Sequence, residues 1–288
     1  MANTIALKRR RTSVTNTRQI TKAMQLVAAS KMRRAQEYAE KTRDYFNLAN
    51  AILNRLREIT DVDKHPLYKQ RAIKTRLHVL ITSDRGLAGA YNSNLFKQLT
   101  TELRQDQDES VVSQVVTIGR QGSRFVSRLE NVEIIAAYDH FPERPTANDI
   151  RPILKLIIDR FTDKTADVVD IIFTDYKTSI TQIVTARRLL PVAFQEVEIE
   201  PDLELAIFEP SAEVVLNTVT ERLVEAQLNQ IFSEAQASEQ SMRMVAMKNA
   251  TDNASDLIDD LTLAFNTARQ AAITQELAEI TGGAEAIK

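Results

Sequence analysis

Neither glycine nor proline occurs between residues 1 and 65, and neither occurs again between 211 and 281. Those two residue types are the strongest helix breakers, so two very long uninterrupted helices are the expected outcome. At 1.5 Å per residue, residues 3 to 59 would span about 85 Å and residues 211 to 281 about 105 Å, far beyond the roughly 11 or 12 residues of an ordinary globular helix. In the first stretch Ala28, Met32, Ala35, Ala39, Thr42, Phe46, Ala49, Leu53 and Leu56 recur at alternating steps of four and three. This 3.5-residue period is the seam of a left-handed coiled coil. In the last stretch Val224, Leu228, Ile231, Ala235, Ser238, Met242 and Val245 keep the same step. The phase is expected to slip near Asn249, after which Ala250, Ala254, Leu257, Leu261, Ala264, Ala268 and Ala271 continue it. Ser211, following Pro210, suits a helix N-cap, and Gly282-Gly283 suits a helix stop.

Between the helices the period changes. Leu77 to Ile81, Val115 to Ile118, Val132 to Ile135 and Val168 to Phe173 are apolar runs of strand length, alternating with helix-like segments near 93 to 105, 122 to 130 and 147 to 162. Such alternation predicts a mostly parallel sheet covered by helices, with Ile180 to Thr185 as an antiparallel neighbour or edge strand. The expected architecture is α/β plus long α-helices: a coiled-coil helix over 1–60, a Rossmann-like α/β domain over 61–205 and a second coiled-coil helix over 206–288. The two helices are expected to pair antiparallel, because that arrangement joins both seams.

Charge is distributed in support of that pairing. The first 36 residues carry nine basic side chains and no acid, whereas residues 206–288 carry thirteen acids against five basic residues. Three readings of the basic end compete: a nucleic-acid arm, a mitochondrial targeting peptide, or a charged helix face toward an acidic partner. No aromatic residue precedes Tyr38 to stack on bases. The helical-face reading is the most economical, since Ile20, Met24 and Val27 fall at helical spacing in the same segment.

Catalytic chemistry has little foothold in this sequence. Cysteine is absent, which excludes disulfides and thiolate metal sites, and His65, His78 and His140 are far apart in the chain. Asp84-Arg85-Gly86-Leu87-Ala88-Gly89 follows the first strand, where parallel sheets often bind ligands, but it lacks both the three-glycine dinucleotide pattern and the lysine of a P-loop. Gly119-Arg120-Gln121-Gly122 reads as a turn, and Asp259-Asp260 as a solvated helix face. No cofactor, metal or catalytic residue is expected. No stretch approaches the roughly 18 to 20 apolar residues of a membrane span.

Four segments, in order, resemble one known family. They are Ile20-Thr21-Lys22-Ala23-Met24 with Val27-Ala28-Ala29-Ser30-Lys31-Met32; Ile81-Thr82-Ser83-Asp84-Arg85-Gly86-Leu87; Met244-Val245-Ala246-Met247-Lys248 with Ala250-Thr251-Asp252-Asn253-Ala254; and Ala268-Arg269-Gln270-Ala271-Ala272-Ile273-Thr274-Gln275-Glu276-Leu277. Together they resemble the gamma subunit of bacterial-type F-type, rotary ATP synthases. Ala88 stands where that family usually has cysteine, and Ala90 where glycine is common. The cysteine-bearing insertion of chloroplast members is missing, so the resemblance implies no thiol control. The match begins by about residue 5, which argues against a removable targeting peptide.

The resemblance implies a non-catalytic central-stalk rotor that turns inside a hexamer of alpha and beta subunits and couples ion flow to ATP synthesis or hydrolysis. The implied partners are those subunits, the epsilon subunit and the membrane c-ring, with no nucleic acid. The implied location is peripheral, on the cytoplasmic face of the bacterial inner membrane. Met24, Arg269, Gln270, Thr274 and Glu276 are implied to contact beta, and Phe208 and Glu209 to lie at the foot beside the ring and epsilon. A long-helix scaffold or chaperone with an inserted α/β domain would share the heptads without the terminal motifs.

Overall fold

The computed structural model describes residues 2–62, 65–130, 132–142, 145–178, 181–193 and 208–286. Two helices dominate it, α1 (Ala2–Ile59) and, at the other end of the chain, α5 (Ala212–Ala286). Between them lie a short 3-10 turn (Pro66–Tyr68), β1 (Thr75–Ile81), α2 (Tyr91–Asp108), β2 (Val112–Ile118), α3 (Arg120–Val126), β3 (Glu133–Tyr138), α4 (Ala147–Thr162), β4 (Val168–Tyr176) and β5 (Gln182–Leu190). The chain forms two compact units, one of residues 1–29 with 243–288 and one of residues 30–242.

The larger unit is built on a five-stranded sheet of order β3-β2-β1-β4-β5. The first four strands are parallel and β5 runs antiparallel to β4. One face packs against α4, the second half of α1 and the start of α5, burying Leu53, Leu56, Val79, Ile118, Ile157, Phe173, Leu223 and Leu228. The other face packs on α2 and α3 through Leu80, Leu95, Leu99, Val115, Val126 and Ile172. The Rossmann-like expectation holds, and β5 occupies the edge assigned to it from residue 182 onward; Ile180, the expected start of that run, lies outside the described residues. α4 matches the expected bounds and carries a capping box in which Thr146 and Asp149 satisfy each other's backbone amides. α3 sits earlier than expected. Gly119 serves as its N-cap and the helix is over by Val126, so residues 127 to 130 lie outside it.

The turn at Gly119 admits no side chain. Its φ of +96° lies in a region that L-residues rarely adopt, and a Cβ there would sit 2.1 Å from the Thr82 carbonyl oxygen. Gly119→Ala is therefore expected to destabilise this unit by about 3 kcal/mol, combining backbone strain with a clash against main chain that cannot swing aside. Urea denaturation followed by circular dichroism would read the loss, and an unchanged midpoint would contradict it.

In the smaller unit the two helices run antiparallel. The Thr21 hydroxyl meets that of Thr251 at 2.8 Å, and the Arg11 guanidinium lies 5.5 Å from the Phe265 ring centroid, so position falls along α1 as it rises along α5. On α5 the inward residues are Met247, Thr251, Ala254, Ile258, Leu261, Phe265, Ala268 and Ala272, a strict alternation of four and three. The expected seam shared only Ala254, Leu261 and Ala268 with this one. Leu257, Ala264 and Ala271 face outward, and the slip falls before Met247 rather than near Asn249, because Val245 is already exposed. On α1 the inward set is Thr4, Leu7, Arg11, Val14, Arg18, Thr21, Gln25 and Ala28. Ile20 and Val27 point outward instead.

The helix stop expected at Gly282-Gly283 also fails, since α5 continues to Ala286. Glycine permits a left-handed cap but does not compel one. A Cβ at Gly282 would meet nothing within 4 Å, so no packing rewards a chain reversal there.

Candidate interaction surfaces

The crevice at the carboxyl ends of parallel strands is where α/β sheets usually take ligands. Here its positions are taken by the chain itself. The Asp84 carboxylate, just past β1, accepts from the backbone amides of Arg120 at 2.9 Å and His140 at 3.0 Å, the residues that follow β2 and β3. A fixed anion thus sits on the amides a phosphate would need. Beside it the Tyr91 hydroxyl donates to the Ala235 carbonyl, Gln182 donates to the Ser241 hydroxyl, and Met242 packs onto the α2 side of the sheet. Gln36 on α1 donates to the Tyr176 hydroxyl at 2.6 Å. Helix α5 therefore lies along the sheet end, and Leu87, with φ +64° and 65% exposure, is turned away from it.

At the opposite, amino-terminal ends of the strands lies a charged network that sequence reading missed. Arg76 pairs with Asp106 at 3.0 Å and Asp170 at 3.2 Å. His78 and Ser113 each meet the second Asp106 oxygen at 2.7 Å, and Arg188 donates to Asp170 at 2.9 Å. Burial pushes the Asp106 carboxyl up, but its hydrogen bonds from His78 and Ser113 and the nearby charges of His78 and Arg76 outweigh this and hold it below its ordinary value. The signal was present in sequence: Arg76 and His78 alternate with Leu77 and Val79, and Asp170 interrupts an apolar run. Nothing in a single strand names the partners.

Of the residues singled out from sequence, Arg269, Gln270, Thr274 and Glu276 are all exposed on the last part of α5, while Met24 is half-buried on α1. They share the smaller unit. Phe208 and Glu209 belong to the larger one, where Phe208 packs on the main core and Glu209 is exposed. Around Met24 the apolar residues Ile20 (61% exposed) and Val27 (53%) recur at steps of four and three, forming a stripe that α5 does not cover. A second stripe, Ile273, Leu277 and Ile280, repeats that spacing on α5 among Thr274 and Glu276. The antiparallel register reaches residue 2 of α1 near Ala272, so this stripe lies beyond the paired seam. Sequence inspection overlooked it because its phase is not that of the seam. Two apolar stripes on a highly charged helix pair are surfaces for something else to bind.

The comparisons with known proteins agree with this layout. A family model described as ATP synthase matches residues 3–287. The ATP synthase gamma chain of Legionella pneumophila is 37% identical over the whole of both chains, and that of Moorella thermoacetica 39% identical over the whole of both. This chain belongs to the ATP synthase gamma-chain family. Among solved structures, the central stalk and c-ring of the Tetrahymena thermophila mitochondrial ATP synthase aligns with a TM-score of 0.60 and 25% identity, covering 80% of this chain and 99% of that one. A chain of the Euglena gracilis mitochondrial F1 and c-ring assembly aligns with a TM-score of 0.65 over 99% of this chain and 95% of its own; at 17% identity that likeness speaks to the fold. The gamma-chain family fits a fold with long end helices around a central sheet, and the resemblance read from the four motifs is correct. No described helix is long and apolar enough to cross a membrane.

Proposed function

We propose that the chain is the central-stalk rotor of a proton-translocating ATP synthase and that it carries no catalytic site of its own. One observation carries this reading: the helix pair mixes small, polar and apolar residues in its seam and still turns two apolar stripes outward. A hairpin evolved to stand alone would bury those stripes, whereas a shaft gripped by surrounding subunits would present them. Alpha and beta subunits are the proposed sleeve, with epsilon and the c-ring at the foot near Phe208 and Glu209. Residues 1–60 and 206–288 then act as shaft and residues 61–205 as the body of the foot, peripheral on the cytoplasmic face of a bacterial inner membrane.

The mechanism follows from asymmetry. A helix pair offers a different face to each of three equivalent beta subunits, so turning it changes which nucleotide-site conformation is favoured in each. The coupling is a free energy between distant sites, and it acts in both directions: rotation drives synthesis, and hydrolysis drives rotation. Met24 on α1 and Arg269, Gln270, Thr274 and Glu276 on α5 are the proposed contacts through which beta feels the shaft. Arg269 can hold several carboxylate or carbonyl oxygens in fixed geometry.

Affinity purification of the tagged chain from a cell expressing the whole complex tests the assignment, with alpha and beta expected in stoichiometric amounts; their absence would overturn it. The non-catalytic role has a separate test. Because the Asp84 carboxylate occupies the amides a phosphate would use, calorimetric titration of the isolated chain with Mg-ATP is expected to show no stoichiometric binding in the micromolar range, and such binding would count against this part of the proposal.

A further inference from the structure

Thr21 and Thr251 form a polar layer in a seam whose other layers are small, mixed or apolar. Thr251 is 9% exposed, and its hydroxyl lies 2.8 Å from that of Thr21 and 2.7 Å from the Met247 carbonyl oxygen. Thr21 in turn lies 3.0 Å from the Arg18 carbonyl oxygen. Three contacts thus share two hydroxyl protons. Whichever way the protons point, one of the own-helix carbonyl contacts competes with the bond between the helices, and only the register seen here makes that bond available.

The neighbouring layers discriminate poorly between registers. Ala28 and Ala254 are small, Gln25 and Arg18 are polar and half-buried, and the heptad phase has just slipped before Met247. Across such a discontinuity an apolar pattern no longer dictates which layer meets which. The Thr21–Thr251 layer does, because any slip breaks the bond between its two hydroxyls, and the usual cost of this device is lower stability than an apolar layer would give.

We infer that Thr21 and Thr251 are positioning residues that pin the axial register of the helix pair, and so fix the offset between Met24 on one helix and Arg269 on the other. The second half of this inference rests on the proposed rotor function; the first half does not. A slip to the next layer, three or four residues, would displace one helix by about 5 Å relative to the other. Contacts on α1 and α5 would then reach a surrounding subunit out of step.

The test replaces both hydroxyls by an isosteric apolar group, Thr21→Val with Thr251→Val, in the assembled complex. Spin labels are placed at the exposed positions Asn16→Cys and Asp256→Cys; this chain has no native cysteine, and the partner subunits are used in cysteine-free form. Pulsed dipolar spectroscopy should give one narrow distance in the parent and in the Thr21→Ser, Thr251→Ser pair, which keeps both hydroxyls. The valine pair should give a broadened or doubled distribution with a component displaced by about 5 Å, while the thermal midpoint of the isolated full chain stays level or rises. A hydroxyl pair that served only as a structural bond would instead lower the midpoint and leave the distance single. A single, unshifted distance in the valine pair overturns the inference. ATP synthesis measured on the same complexes separates this from the rotor reading: a displaced register with parental synthesis rates would retain the pin and count against the contacts at Met24 and Arg269.

Discussion

An enzyme assembled with Arg269→Ala and Gln270→Ala will synthesise ATP at about a tenth or less of the parental rate, with multisite hydrolysis falling in parallel. Both residues lie exposed on α5 just before the register runs off the end of α1, and both flank the outward stripe that starts at Ile273. Inside a desolvated sleeve a guanidinium bonded to carboxylate or carbonyl oxygens is a charge-assisted contact, whose loss changes an equilibrium between rotational states by roughly ten-fold or more. Arg269→Ala alone should account for most of the loss and Gln270→Ala for less, since the amide is a neutral partner. Nucleotide affinity at a single catalytic site should remain close to parental, because the substitution touches transmission and not the nucleotide. Full synthesis rates in a correctly assembled double variant would falsify the contact.

The largest expected effect on stability lies in the larger unit, at Arg76. It is 8% exposed and neutralises two carboxylates that are themselves nearly inaccessible, Asp106 and Asp170. Arg76→Ala leaves Asp106 with His78 and Ser113, and Asp170 with Arg188, and breaking a buried ion pair from one side typically costs about 3 to 5 kcal/mol. A urea or thermal midpoint close to the parent would refute this. The same network makes the sheet acid-sensitive in a definite direction. Asp106 is held below the ordinary carboxylate value, so its contribution is complete above that ordinary value and is lost as pH falls through the lower, folded-state value. Asp106→Asn should therefore flatten the acid limb of the stability profile below about pH 4 and leave the shape near neutrality unchanged.

Architecture was legible from breakers and periods, because those report on the backbone and on one chain's own packing. The absence of glycine and proline located α1 and α5, and the strand runs located β1, β2, β3 and β4. What misled was the assumption that the most apolar face of a helix is the one its own chain covers. Ile20, Met24 and Val27 share a helical spacing, yet the seam there consists of Arg11, Val14, Arg18 and Thr21 and leaves Ile20 and Val27 outside it. Likewise Leu257 looked a better seam residue than Thr251 by hydropathy, and the structure reverses them. In both cases the apolar residue faces away from its own chain, and a chain read by itself gives no sign of what lies outside it. The charged network was hidden for a different reason: Arg76, Asp106, Asp170 and Arg188 are far apart in sequence and become neighbours only when strands pair. Arg269, Gln270, Thr274 and Glu276 were picked out through family motifs; composition alone would have left them as ordinary polar surface.

The outward apolar stripes also bear on how a cell must handle this polypeptide before it reaches its destination. Ile280 at 68% exposure, Ile20 at 61% and Leu277 at 58% stand in water on the newly made chain. Exposed greasy helix faces associate with whatever is at hand, including further copies of themselves. Synthesis in excess of its companions therefore carries a risk of precipitation, which favours matched expression and prompt enclosure.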